Sequence, residues 1–254
     1  MQRSFSYIVL ITWFLLAWSC KTQYVTTSLK KSNHEVVNAA VPLDSQLVSI
    51  YLPYKSVLEK DMSRVISVSE QEMVKDRPES SLTNFLADMM LKEGAEIAAG
   101  LNKDIRPDIS FLNYGGIRTF LPRGEITVHN IFELMPFENE VVFIQLSGEQ
   151  VQEFLNYVAE NGGNSVGGIR FKISENKAAN VEIGGKPLSE KELYWLVTND
   201  YVAAGGDGFD VFTRRKEFVA GNVKIRDVII AHLEKELDNG RQISAKPDGR
   251  IVYE

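Results

Sequence analysis

A hydrophobic run, Leu193 to Val197, leads without a break into Thr198-Asn-Asp-Tyr-Val-Ala-Ala-Gly-Gly-Asp-Gly-Phe209. No other stretch constrains the fold as much. A strand that runs into Gly205, Gly206 and Gly208 must turn tightly, and its backbone can approach a ligand closely. Tyr201 stands shortly before Asp207, the residue those glycines flank. A ring to stack on and a carboxylate to accept hydroxyl hydrogen bonds suit a nucleoside. The alternative is a Gly-rich turn between strands with no ligand.

Two further blocks favour the ligand. Asp108-Ile-Ser-Phe-Leu112 reads as a buried strand and ends in Asn113-Tyr-Gly-Gly-Ile-Arg118. Asn113 can pair with a base edge. Arg118 can hold a phosphate or ribose oxygen through its planar guanidinium. The third block runs from Gly124 to Phe137 and continues into Glu138-Asn139. It places an aromatic ring, Phe137, directly after a proline, and rings from separate loops can clamp a flat base.

Together these blocks resemble the C-terminal domain of the 5'-nucleotidase family, which includes periplasmic UDP-sugar hydrolases and ecto-5'-nucleotidases. The resemblance runs from about Glu79 to Tyr253. It takes in Glu79-Ser-Ser-Leu-Thr-Asn-Phe-Leu-Ala-Asp88 and the terminal Asp248-Gly-Arg-Ile-Val252. It implies that Phe137 and Tyr201 sandwich the base and that Asn113 or Asn139 bonds its edge. Asp207 would take the ribose and Arg118 the sugar-phosphate. The family has an Arg three residues before position 79, where this chain has Asp76, with Arg77 one step later. Either the loop shifts by one residue and Arg77 serves, or that contact is missing. Pro78 restricts Arg77 to extended conformations. Tyr201 replaces the more usual Phe, and its hydroxyl needs a partner if buried.

In the full-length family a metallophosphatase domain with two metal ions precedes this one. Such ions clamp the phosphate and activate the attacking water. This chain has three histidines, His34, His129 and His232, scattered without ligand spacing. Asn33-His34-Glu35 spells a string common in metallophosphatases, yet no Asp-x-His block precedes it. The resemblance therefore implies no metal site in this chain, with divalent metals expected in a separate metallophosphatase subunit. His129 is expected to face outward or cap the helix starting near Thr127. His232 is expected on the surface of a terminal helix, Val223 to Leu237.

Gly163-Asn-Ser165-Val-Gly167 matches the string of a nucleophile elbow, with Asp207 and His232 following. An elbow needs a strand before the serine and a helix after it. The pattern here is the reverse, a helix and then a strand. Ser147 reads as a helix cap with Gln150 as its capping-box partner.

The N-terminus carries Arg3, an apolar run from Tyr7 to Trp18, and then Ser19-Cys20-Lys21. The run is short for a membrane span and reads as a secretory signal. The only cysteine follows it, which resembles a bacterial lipoprotein signal with Cys20 lipidated. Expected boundaries are 1–19 for the signal peptide, 20–45 for a lipid-anchored tether and 46–254 for the domain. The protein is expected to be exported and membrane-anchored, facing the periplasm. Its 254 residues, 44% of them hydrophobic, suffice for one substantial core. A net charge of −6 with no basic run argues against nucleic acid.

Apolar spacing predicts an amphipathic stretch from Asp44 to Met62 and a strand at Val65–Val68. A helix capped by Ser80 or Ser81 would bury Leu82, Phe85, Leu86, Met89 and Met90. Glu140–Leu146, Ile169–Ile173 and Val181–Ile183 read as strands, with Gly184-Gly185 as a hairpin turn. Strands and helices mix without strict alternation, which predicts an α+β fold of mixed sheets and flanking helices. The expected role is the nucleotide-recognition half of a phosphohydrolase. The alternative is a non-catalytic nucleoside-binding lipoprotein.

Overall fold

A computed structural model describes Asn38, residues 41–101 and residues 103–254. The expected signal, Cys20 and Asn33-His34-Glu35 lie outside the described residues. The chain divides into two units, Met1–Ile50 and Tyr51–Glu254. No described helix is long and apolar enough to cross a membrane.

In chain order the elements begin with α1 (Ser45–Met62), β1 (Val65–Ser69), α2 (Ser81–Gly100) and β2 (Ile109–Leu112). They continue with β3 (Gly124–Thr127), α3 (Val128–Leu134), β4 (Glu140–Ser147) and α4 (Gly148–Glu160). Strands β5 (Ser165–Gly167), β6 (Ile169–Ser174), β7 (Lys177–Ile183), β8 (Lys186–Pro187) and β9 (Leu193–Asn199) follow. Last come α5 (Asp200–Ala203), β10 (Glu217–Lys224), α6 (Ile225–Asp238) and β11 (Ile251–Tyr253).

This is the α+β architecture expected from the sequence. The strands form a five-stranded sheet ordered β10-β4-β9-β2-β5, a four-stranded sheet ordered β11-β6-β7-β8, and the pair β1-β3. Within the five-stranded sheet only β2 and β9 run parallel.

Side chains alternate across a strand, so one strand can feed two cores. Strand β4 does so. Val141 and Phe143 join the core that holds α2 and α6, while Val142, Ile144 and Leu146 join the core that holds α4. Both faces of the sheet are therefore covered, and β4 reads as a continuous hydrophobic run.

The helices start where their caps are written. Ser80 and Thr83 form a reciprocal box at α2, Thr127 and Asn130 at α3, and Ser147 and Gln150 at α4. The five apolar positions expected on α2 are all buried, as are Phe154, Leu155 and Val158 on α4. Gly184 and Gly185 adopt positive φ between β7 and β8.

One expectation is corrected. His232 is buried, with Nδ1 2.7 Å from Glu93 Oε1 and its ring 6.1 Å from that of Phe85. The reason is helical spacing. His232 falls on the same stripe as Ile225, Val228 and Ile229, which packs into the core. The helix also starts later than expected, at Ile225, because β10 continues through Lys224.

Candidate nucleotide-binding site

Sheet topology gathers the loops. Strands β2 and β9 are parallel neighbours, so their C-terminal ends share one edge of the sheet. Strand β4 is antiparallel to β9, with Val141 opposite Asn199, so its N-terminal end opens on the same edge. Asn113 follows β2, Phe137 and Asn139 precede β4, and Tyr201 and Asp207 follow β9. A cavity of about 290 Å³ lies there, lined by Asn113, Gly115, Gly116, Arg118, Phe137, Asn139, Tyr201 and Asp207.

Asp207 is the centre of a hydrogen-bond network. Asn113 Nδ2 donates to its Oδ2 at 2.7 Å, and the Tyr201 hydroxyl donates to its Oδ1 at 2.9 Å. Tyr157 OH donates to its main-chain oxygen at 2.9 Å. Asp207 sits at φ 53, a left-handed conformation that Asp tolerates better than most residues. Gly206 is required beside it, because a Cβ there would come within 2.5 Å of the Tyr201 ring. Gly115 has a similar duty, since its Cβ would lie 3.0 Å from Asp207 Oδ2.

Asn113 is buried, and Asn199 Nδ2 donates to its Oδ1 at 3.1 Å. Asn199 Oδ1 in turn caps α5 by accepting from Val202 N at 2.9 Å. The Asn113 carboxamide is thus engaged at both ends within the protein. Its contact through Nδ2 holds the Asp207 carboxylate, and the residue lines the cavity.

The two candidate stacking rings are exposed, Phe137 at 45% and Tyr201 at 47%. Among the described residues neither makes a ring contact with another aromatic side chain. Single exposed apolar residues are ordinary, but two rings facing one cavity beside a fixed carboxylate form a binding arrangement. The hydroxyl that Tyr201 adds to the usual Phe has its partner in Asp207.

A cationic cluster gathers around residues 114–118, which include the cavity-lining Gly115, Gly116 and Arg118. Lys75 Nζ donates to Ile117 O at 2.5 Å and Tyr114 O at 3.1 Å, and lies 4.1 Å from the Tyr114 ring centroid. The Arg77 guanidinium lies 4.5 Å from the same centroid. Arg118 Nη1 donates to Gly115 O at 3.0 Å. No carboxylate forms a salt bridge with any of the three among the described residues. Burial first, then the charges of Arg118 and Arg77, hold the Lys75 ammonium below the usual lysine range. On the other side, Glu138 bonds Lys224 and Arg226. These hold its exposed carboxyl down to about 2, Lys224 having the larger effect.

Six of the seven expected site residues thus line one cavity. Arg77 does not line it. Its guanidinium donates to Asn161 O and lies over Tyr114 instead. Lys75, Tyr157 and Asn199 escaped sequence reasoning. Asn199 stood inside the leading motif, whereas nothing local marks Lys75 or Tyr157. Ser165 is buried between a preceding helix and its own strand, and its hydroxyl donates to Thr83 O at 2.7 Å. That is a structural role. His129 is exposed on α3 and pairs with Glu133 at 3.3 Å.

Known proteins give an independent line. The model of the 5'-nucleotidase C-terminal domain matches residues 62–214. A 5'-nucleotidase of Vibrio vulnificus is 27% identical over 228 residues, covering 88% of this chain and 40% of the relative. The trifunctional nucleotide phosphoesterase YfkN of Bacillus subtilis is 33% identical over 189 residues, covering 68% of this chain and 12% of the relative. Among solved structures, a 5'-nucleotidase precursor from Thermus thermophilus superimposes with a TM-score of 0.68 at 28% identity. That match covers 84% of this chain and 44% of the other. The chain spans less than half the length of each of these relatives.

Proposed function

Because this chain belongs to the 5'-nucleotidase C-terminal domain family, we propose that it is the nucleotide-recognition half of a 5'-nucleotidase-type phosphohydrolase. The reaction served is hydrolysis of a nucleoside 5'-phosphate to nucleoside and phosphate. Phe137 and Tyr201 take the base between them, and Asn139 bonds its edge. Asp207 accepts hydrogen bonds from the ribose hydroxyls, with Asn113 holding the carboxylate. Arg118 attracts the phosphate, a local duty because the chain as a whole is acidic.

Among the described residues no three His, Cys, Asp or Glu side chains converge on a metal site. The part these described residues would play is binding and orientation. A separate metallophosphatase chain would supply divalent metals and activate the attacking water. The protein would be exported and held to the membrane through lipidated Cys20. Cys20→Ser should abolish incorporation of labelled palmitate.

The observation that carries this reading is the convergence of two exposed rings and one fixed carboxylate on a single cavity. Calorimetric titration of the full chain with adenosine and AMP tests it. Both ligands should bind, and Tyr201→Ala and Asp207→Ala should each lose binding while staying folded. Wild-type protein that binds neither ligand refutes a self-sufficient recognition site.

A further inference from the structure

The loop between α3 and β4 carries Phe137 and Asn139, two of the residues that line the candidate cavity. The Phe137 ring is half exposed, so its own packing does little to place it. The main chain around it is held from elsewhere, by three consecutive residues where β10 meets α6. Lys224 and Arg226 bond the Glu138 carboxylate, one to each oxygen, and Ile225 N donates to Asn139 O at 2.9 Å. Arg226 Nη1 also donates to Phe137 O in a long contact of 3.5 Å.

The two cations differ in what surrounds them. Lys224 is exposed, so water screens its bond to an exposed carboxylate. Arg226 is buried, with its guanidinium 4.0 Å from the ring centroid of Phe132, on the helix that leads into the loop. Among the described residues every polar contact of its side chain falls on Phe137 or Glu138, and its buried Nε has no partner. Burying a guanidinium is costly, and an unpaired donor adds to that cost. What the chain gains at this position is a planar fork that can stack on a ring and reach two acceptors at once, which a lysine cannot do.

We propose that Arg226 is a positioning residue for nucleoside recognition. It touches no ligand. It holds the Phe137–Asn139 main chain, and so keeps the stacking ring and the Asn139 carboxamide at the cavity. This inference rests on the functional reading above, in which those two side chains meet the base.

Calorimetric titration of the full chain with adenosine, run as a double-mutant cycle, tests it. Arg226→Met keeps an unbranched stem against Phe132 and removes the fork. It should weaken adenosine binding about tenfold in the wild-type background, but only about twofold beside Phe137→Ala, because the ring it places is then gone. A general loosening of the fold would cost the same factor in both backgrounds. Arg226→Lys should fall between wild type and Arg226→Met, and it carries the cycle if Arg226→Met does not fold. The fluorine resonance of 4-fluorophenylalanine at position 137 reads the loop without ligand and should move in both variants. Equal factors in the two backgrounds overturn the positioning role alone, as do unchanged affinity and an unmoved resonance in a folded variant. Wild-type protein that binds no adenosine overturns the functional reading and this proposal with it.

Discussion

Two sets of aromatic rings differ in everything but chemistry. In one, Phe111, Phe154, Phe209 and Phe212 are buried against one another, with centroids 4.7 to 5.9 Å apart. In the other, Phe137 and Tyr201 are half exposed and touch no other ring among the described residues. The buried set fixes the floor. Tyr157 packs edge-on to Phe209 at 4.9 Å and passes that rigidity to Asp207 through its hydroxyl. The exposed set gains no comparable packing, and its apolar surface becomes an asset when a ligand covers it. Burial thus separates rings that hold the fold from rings exposed at the candidate site.

Substitutions can break this division. Phe154→Ala should cost about 3–5 kcal/mol of stability, because it empties a fully packed site. A urea titration in which it behaves like wild type would remove the floor from the account. Asn113→Ala should follow at about 1–3 kcal/mol, since it leaves Asn199 without its buried acceptor and frees the Asp207 carboxylate. Nucleoside affinity should fall with it.

Phe137→Ala should show the inverse pattern. Unfolding free energy should stay within about 0.5 kcal/mol of wild type. Adenosine binding should weaken by about 1–3 kcal/mol, the usual worth of stacking on one ring. A variant that loses stability but keeps affinity would place Phe137 in the structural set.

Charge sharpens the contrast further. Lys75→Met should weaken AMP binding several-fold and leave adenosine almost unchanged. The Lys75 pKa is lowered, chiefly by burial, so its charge is lost earlier than usual as pH rises. The advantage of AMP over adenosine should shrink on that alkaline side. Equal losses for both ligands would show that Lys75 does not read the phosphate.

The smallest effect concerns Glu138, whose folded pKa is depressed to about 2 from an ordinary 4.5. Its contribution to stability is therefore complete above about pH 4.5 and is lost as pH falls toward about 2. Glu138→Gln should differ slightly from wild type at pH 6, and the two should converge in urea titrations near pH 2. The carboxyl is fully exposed, so solvent screening keeps the difference small.

What the sequence determined by itself is what neighbours along the chain can decide. The apolar run of β4, the reciprocal cap at Ser147 and the turn at Gly184-Gly185 are local, and each was legible before any coordinates. So was the set of loops that carry the site, because glycines and aromatic residues punctuate strand ends. Tertiary structure decided which side chains meet. Asn113 and Asp207 lie 94 positions apart and bond because β2 and β9 are parallel neighbours, a fact of sheet order absent from either segment. Lys75 reaches Tyr114 and Ile117 for the same kind of reason, and Arg77 turns to Asn161. His232 was misread as a surface residue, and the carboxylate that meets it in the interior comes from another helix. Local periodicity specifies which face is apolar. Only the packing of sheets and helices sets which polar groups share that interior, because those pairings join segments that local sequence does not connect.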